Sequence, residues 1–263
     1  MLTDGVVTLR VHRPDDIDDM MAMGNDPETV RWTTAPVPYE RSHAEQWVDL
    51  SSAVRIADAA TYRWAIEADD NGTPRFAGNI DLRFESAPDI GYALAPWARG
   101  NGYMSRAVRL VTQWAFDTLG LTVVQWSTHV DNWASWKVAH ACGFTFHGTI
   151  PQSHPQRGAL RDGWFASLRP GDDPTTPRTT WLTAATLAND RVRLRPYADT
   201  DVPRIVEACS DERTRLWLRT MANPYTEESA ITFIRSVRLD MSLGQRVVWA
   251  ITAPDDDRLL GNV

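Results

Sequence analysis

Cysteine is nearly absent: Cys142 and Cys209 are the only two in 263 residues, and they lie far apart. A disulfide framework is therefore not expected, and a reducing, cytoplasmic setting fits such a chain. Basic charge is also in short supply. With 27 Lys and Arg against 34 Asp and Glu, the net charge is −7, which argues against nucleic acid as a partner. No apolar run approaches the ~20 residues that cross a bilayer, so no membrane association is expected. The residues from Met1 to Arg10 lack the basic-then-apolar plan of a signal peptide. The six histidines form no ligand-spaced cluster, and no metal is expected.

What is present suffices for one large core or two smaller ones, since 43% of the residues are hydrophobic. The acidic run Asp15-Asp16-Ile17-Asp18-Asp19 reads as a solvated helix end or as a lure for a cationic substrate. An internal repeat is more informative. At an offset of 185, Thr8-Leu9-Arg10 meets Arg193-Leu194-Arg195, Asp16-Ile17 meets Asp201-Val202, and Trp64-Ala65-Ile66 meets Trp249-Ala250-Ile251. With small shifts, Gly78-Asn79-Ile80 meets Gly261-Asn262-Val263. The expected organisation is a domain over 1–170, a Pro/Thr-rich linker over 171–188, and an N-terminal half of a second, truncated copy over 189–263. The incomplete copy would leave Val248, Leu259 and Leu260 unprotected. It would pack on the first domain, pair with another chain, or stay poorly ordered.

Period and punctuation predict the elements of the first copy. Strands are expected over 6–11, 62–68, 75–84 and 89–94, with an Asp70-Asn71-Gly72 turn between the second and third. Helices are expected after Pro14, over 41–56, over 103–118 and over 132–142. Strands over 121–130, 144–150 and 164–168 complete the unit. Strands outnumber helices and are interrupted by them, so the fold class is a mixed α/β (α+β) sheet.

The chemistry is concentrated between Ile90 and Ser105. A strand ends at Leu94, Pro96 breaks its ladder, and Gly100 and Gly102 precede a helix. Glycines let successive N–H groups curl into one concavity, and the helix N-terminus adds its dipole. Such a turn is either an ordinary tight connection or a phosphate site. Arg99 and Arg106 add positive charge nearby. The spacing fits neither a Walker loop nor a dinucleotide fingerprint.

Arg99-x-x-Gly102-x-Met104 after a strand and before an amphipathic helix resembles the acetyl-CoA signature of GNAT acetyltransferases, with Met104 in place of the usual small residue. Asn132-Trp133-Ala134-Ser135, followed by Gly143-Phe144, resembles the ribosomal-protein N-terminal acetyltransferases of the RimJ/RimL type. The resemblance covers about residues 5–170. It implies a GNAT-like central, mostly antiparallel sheet flanked by helices, with acetyl-CoA as acyl donor. Its pantetheine would bind backbone groups of Leu94 and Ala95. Its pyrophosphate would sit on Arg99, Gly100, Asn101, Gly102, Tyr103 and Met104. Asn132 would both cap its helix and offer its amide to the pantetheine. Lys137 would meet a CoA phosphate, or lie on the surface.

No nucleophile with a supporting base is evident, so an amine must attack the thioester directly in a ternary complex. Cys142 reads as an inert packing thiol. The resemblance suggests Ser135 as proton donor to the leaving thiolate and a strand carboxylate as base. Asp89 is chosen for the base, with Asp81 and Glu85 as rivals. Of the twelve tryptophans, Trp97, Trp133 and Trp136 flank the proposed site. The acceptor is a protein N-terminus or a small-molecule amine. The alternative is a catalytically lapsed acyl-CoA-binding sensor or interaction module.

Overall fold

The computed structural model describes residues 1–53, 61–84, 87–218 and 220–263. Contacts divide the chain into two units, Met1–Arg178 and Thr179–Val263, each described by itself.

The first unit begins with β1 (Leu2–Thr3) and β2 (Val7–Arg10), then α1 (Ile17–Gly24), α2 (Pro27–Trp32) and α3 (Arg41–Ala53). Asp26 caps α2, accepting the Thr29 N–H at 3.0 Å, with Pro27 at the first helical position. β3 (Thr61–Asp70) and β4 (Thr73–Arg83) form a hairpin. Asn71 and Gly72 both adopt positive φ there, 54° and 88°, as an Asn-Gly turn of this hand requires. β5 (Asp89–Leu94), α4 (Tyr103–Asp117), β6 (Val124–His129), α5 (Trp133–Ala141), β7 (Thr145–Gln156) and β8 (Ala159–Leu168) follow. The predicted helix over 41–56 is seen as far as Ala53, and its last positions lie outside the described residues.

The eight strands form one sheet in the order β1-β2-β3-β4-β5-β6-β8-β7. Every neighbouring pair is antiparallel except β5 with β6. On one face, Ala65 and Ala95 pack with Ile17, Met20 and Met23 of α1 and Ala44 of α3. α4 buries Met104, Ala107, Val108, Val111, Thr112 and Ala115, a stripe of helical period. Burying Met104, Val108 and Val111 of that stripe contributes about 1.5–3 kcal/mol each.

In the second unit, β9 (Leu187–Ala188), β10 (Arg193–Arg195), α6 (Val202–Ser210), α7 (Glu212–Trp217), α8 (Glu227–Ser242), β11 (Ala250–Thr252) and β12 (Leu259–Asn262) form a sheet ordered β12-β11-β10-β9 with its helices. Tyr197, Ile205, Ala230, Ile234, Val237, Ala250 and Leu259 make its core. Leu259, expected to be unprotected, is therefore buried, whereas Leu260 is exposed.

The stretch expected as a linker is divided between the units. Arg109 Nε donates to the Pro174 carbonyl at 2.8 Å, and Arg178 Nε to that of Gly143 at 3.3 Å. Beyond Thr179, the Leu182 N–H reaches the Met241 carbonyl and Trp249 Nε1 that of Ala185, at 2.8 and 2.9 Å.

Candidate active site

β5 and β6 pair only at Asp89 with Gln125 and Ile90 with Trp126. Beyond these residues each strand runs on without the other. Strand alternation decides which backbone groups face the gap. The Ala95 N–H donates to Ala77 of β4 at 2.8 Å, so Tyr92 and Leu94 turn their backbone groups the other way, into the gap. The Val130 N–H likewise points to Asp162 at 2.9 Å, leaving Ser127 and His129 to face β5. The Ala95 carbonyl accepts from Ala98. Ala95 is thus not the pantetheine contact expected of it; Leu94 alone of the pair keeps a group on the open edge.

At the end of this gap lies the glycine loop. Gly100 and Gly102 have φ of 80° and 75°, where L side chains are strained, and nothing lies within 4 Å of where their Cβ atoms would be. No side chain caps α4, and its first intrahelical bond runs from the Arg106 N–H to the Gly102 carbonyl. The N–H groups of Tyr103, Met104 and Ser105 thus have no intrahelical partner, and a helix start of this kind favours negative charge. Met104 departs from the small residue of the motif by turning its side chain into the core, 4% exposed. The Asn101 amide folds back onto the carbonyls of Trp97 and Arg99.

Neither arginine offers a free charge here. Arg99 Nη2 binds Asp26 at 2.5 Å and Thr29 at 3.1 Å, its Nε donates to Leu94, and its N–H closes the turn at Pro96. It fastens the loop to the start of α2 instead of meeting phosphate, which corrects its expected role. Arg106 is engaged by Asp4 at 2.7 Å. Lys137 is exposed on α5.

Ser135 opens α5 beneath the gap. Asn132 accepts the Ser135 N–H at 3.2 Å and donates to Thr128 Oγ1 at 3.0 Å, so the capping role expected of it is the one observed. Ser135 Oγ lies 3.2 Å from both the Tyr92 hydroxyl and Trp126 Nε1, and Trp126 also donates to Tyr92 at 2.8 Å. The Tyr92 hydroxyl donates to the Ser135 carbonyl at 3.0 Å. Burial holds Tyr92 well above the ordinary tyrosine range. Sequence reasoning missed Tyr92, although its place two residues before Leu94 put it on the same strand edge. Trp136 is core, 1% exposed, while Trp133 packs edge-on against Trp164 at 4.6 Å. Trp97 donates to the Phe76 carbonyl and faces Tyr103. Cys142 is buried and its thiol is pushed up to about 11, chiefly by desolvation.

The carboxylates sort differently from expectation. Both Asp89 oxygens are held by Arg83, through Nε at 3.1 Å and through Nη2. With both oxygens occupied by one guanidinium, Asp89 is set aside as the base on that geometry. Asp81 lies opposite Gly91 in the ladder, and a Cβ at Gly91 would meet its Oδ1 at 2.8 Å. Its carboxyl is pushed up to about 6 by burial, with Asp89 adding to the rise and Arg83 and Arg63 opposing it. Arg83 Nε stands off at 3.7 Å. Glu85 lies outside the described residues.

Across the gap, His154 Nε2 lies 3.1 Å from Ser127 Oγ, and its ring is 5.3 Å from that of His129. Burial lowers both imidazoles. The tip of the β7–β8 hairpin reaches the α2 region, where Gln156 binds the Arg31 carbonyl and Arg157 that of Val30 at 3.0 Å.

A family model described as an acetyltransferase (GNAT) domain matches residues 7–145, more than half of the chain. Among solved structures, the microcin C7 self-immunity acetyltransferase MccE, in complex with acetyl-CoA and AMP, is similar at 18% identity and a TM-score of 0.56, covering 63% of this chain and 93% of that one. A putative ribosomal-protein-serine acetyltransferase from Vibrio cholerae gives 18% identity and 0.53, covering 65% and 98%. Mycobacterium smegmatis RimJ in complex with CoA-disulfide gives 19% and 0.55, covering 65% and 85%. Comparison with curated protein sequences gives no match.

Proposed function

Because this chain belongs to the GNAT acetyltransferase family, we propose that its first unit transfers the acetyl group of acetyl-CoA to a primary amine, on a protein N-terminus or a small molecule. The observation that carries this reading is the gap between β5 and β6 running into an uncapped helix start. Leu94 and Tyr92 offer a strand edge to the amides of the pantetheine arm. The loop from Gly100 to Met104 offers N–H groups to its pyrophosphate. The bound donor supplies a thioester carbonyl. Asp81, at the mouth of the gap, takes the proton from the attacking ammonium. Ser135, oriented by Tyr92 and Trp126, gives a proton to the leaving thiolate. No helix among the described residues is long and apolar enough to cross a membrane, and no metal-ligating group of His, Cys, Asp and Glu gathers there.

We also read the second unit as a repeat of the opening half of the first. Arg10 binds Asp16 and Glu67, each at 2.7 Å, and Arg195 binds Asp201 and Asp257, each at 2.7 Å. Asp16 accepts the Arg13 N–H and Asp201 the Ala198 N–H, both at 2.8 Å. The Arg10–Asp16 pair and the Asp16 turn support the reading because they recur at the repeat's own offset of 185, while Asp257 fills the place of Glu67 from a shifted position.

The test of function is incubation with acetyl-CoA and a panel of peptides and small amines, scored by free thiol and product mass. Acetylated amine with stoichiometric thiol is expected. Tight binding of acetyl-CoA with no thiol above the hydrolysis blank would instead favour a lapsed binding module.

A further inference from the structure

The sheet face beneath α3 carries a row of polar residues that leads to the gap. Arg63 of β3 is opposite Asp81 of β4, which is opposite Gly91 at the edge of the gap. The β2–β3 register ends at Arg10 with Ala65; two residues on, it brings His12 level with Arg63. The row therefore runs His12, Arg63, Asp81, Gly91, and ends where the acyl donor would lie.

Two atoms of this row are buried without a hydrogen-bond partner, Arg63 Nε and His12 Nδ1. The other His12 nitrogen is 2.7 Å from Asn79 Oδ1. The Arg63 guanidinium lies over the Trp47 ring of α3, 5.1 Å from its centroid. Among the described residues no carboxylate forms an ion pair with it, although Arg10, Arg75, Arg83 and Arg99 of the same unit all have one. Arginine stays charged in any protein setting, and a sheltered guanidinium with an orphaned N–H is costly unless something else satisfies it. Orphaned buried groups of this kind are rare enough in native folds to need a cause.

We propose that this row is the acceptor-recognition surface, and that Arg63 receives an anionic group, a carboxylate or a phosphate, carried by the amine that is acetylated. The inference rests on the acetyl-transfer reading above. With the ammonium at Asp81 and the anion at Arg63, the two ends of the acceptor are set about one strand spacing apart, roughly 5 Å. That separation suits an amine whose acidic group lies within the same residue. Trp47 supplies the apolar roof, and His12 Nδ1 is left for a further polar atom of the ligand.

The test uses pairs that differ by an anionic group, Glu against Gln being nearly identical in shape. C-terminally amidated Glu-Gly and Gln-Gly, and their phosphoseryl and seryl counterparts, are titrated by calorimetry into the full chain loaded with CoA. The wild type should bind the anionic member of at least one pair about 10–100-fold more tightly, the range a charge-assisted hydrogen bond supplies. Arg63→Met should remove that preference while leaving CoA affinity unchanged, and Arg63→Lys should restore part of it. Equal affinities within both pairs would overturn the proposal, as would a preference that survives in Arg63→Met. The wild-type comparison decides alone if the variant fails to fold. An anionic preference without thiol release from acetyl-CoA would sink the transfer reading, and with it the role of that ligand as acceptor, and leave only the anion site at Arg63.

Discussion

At the scale of the residue, burial makes Asp81 both useful and expensive. Its carboxyl is raised from 3.8 to about 6, so between these values the folded chain holds a proton that the unfolded chain has released. Stability therefore falls as pH rises through that window, and the full penalty applies above it. Asp81→Asn should stabilise the first unit by roughly 2–3 kcal/mol near pH 7.5 and by almost nothing below about pH 3.5. The same variant should lower kcat by ~10²–10⁴ and abolish an acid limb near pH 6 in the wild-type profile. Melting curves at both pH values and a pH–rate profile check this; an unchanged profile would hand the base to another group. Ser135 makes a different prediction. Ser135→Ala should reduce kcat with little change in acetyl-CoA affinity. Equal single-turnover rates would reduce Ser135 to a helix-start residue.

At the scale of the element, the start of α4 is the most exacting piece of backbone. Valine at position 102 would have to hold φ near 75°, at a cost of roughly 1–2 kcal/mol, and would place methyl groups in the concavity. Gly102→Val should abolish the rise in melting temperature that acetyl-CoA gives the wild type. An undiminished rise would remove the loop from the binding site. This element was legible in the sequence because positive φ is written in glycine, as it also is at the Asn71-Gly72 turn. β5 could be read to the residue, since Pro88 and Pro96 bracket it. β7 could not: it runs on to Gln156 past the expected end at Ile150, and Gly148, Pro151 and Pro155 disguise its alternation while its register slips. The partners of Arg99 and Asp89 were equally hidden. Each is engaged by a side chain, Asp26 or Arg83, whose arrival depends on how separate elements pack.

At the scale of the whole molecule, the boundary at Arg178 makes a quantitative expectation. A fragment ending at residue 170 discards the stretch whose backbone receives Arg109 and backs onto Gly143, whereas one ending at Arg178 keeps it. The 1–178 fragment should therefore melt higher than 1–170 and bind acetyl-CoA as the full chain does. Calorimetry on the three proteins checks both points. If 1–178 stays folded but loses affinity, the second unit contributes to the site and the division of labour argued above is wrong.

The interrupted pairing of β5 and β6 also has a consequence for solvent. Two strand edges stand inside one sheet, and the backbone amides of Tyr92, Leu94 and His129 on them have no neighbouring strand to shield them. Alternate amides on the same strands point into ladders with β4 and β8. Deuterium uptake without ligand should therefore be fast at 92, 94 and 129 and slow at 91, 93, 126 and 128, with 127 slow as well because its N–H meets the Ile90 carbonyl. A pantetheine arm lying in the gap as a surrogate strand would slow the fast positions of β5 and leave the slow ones as they were.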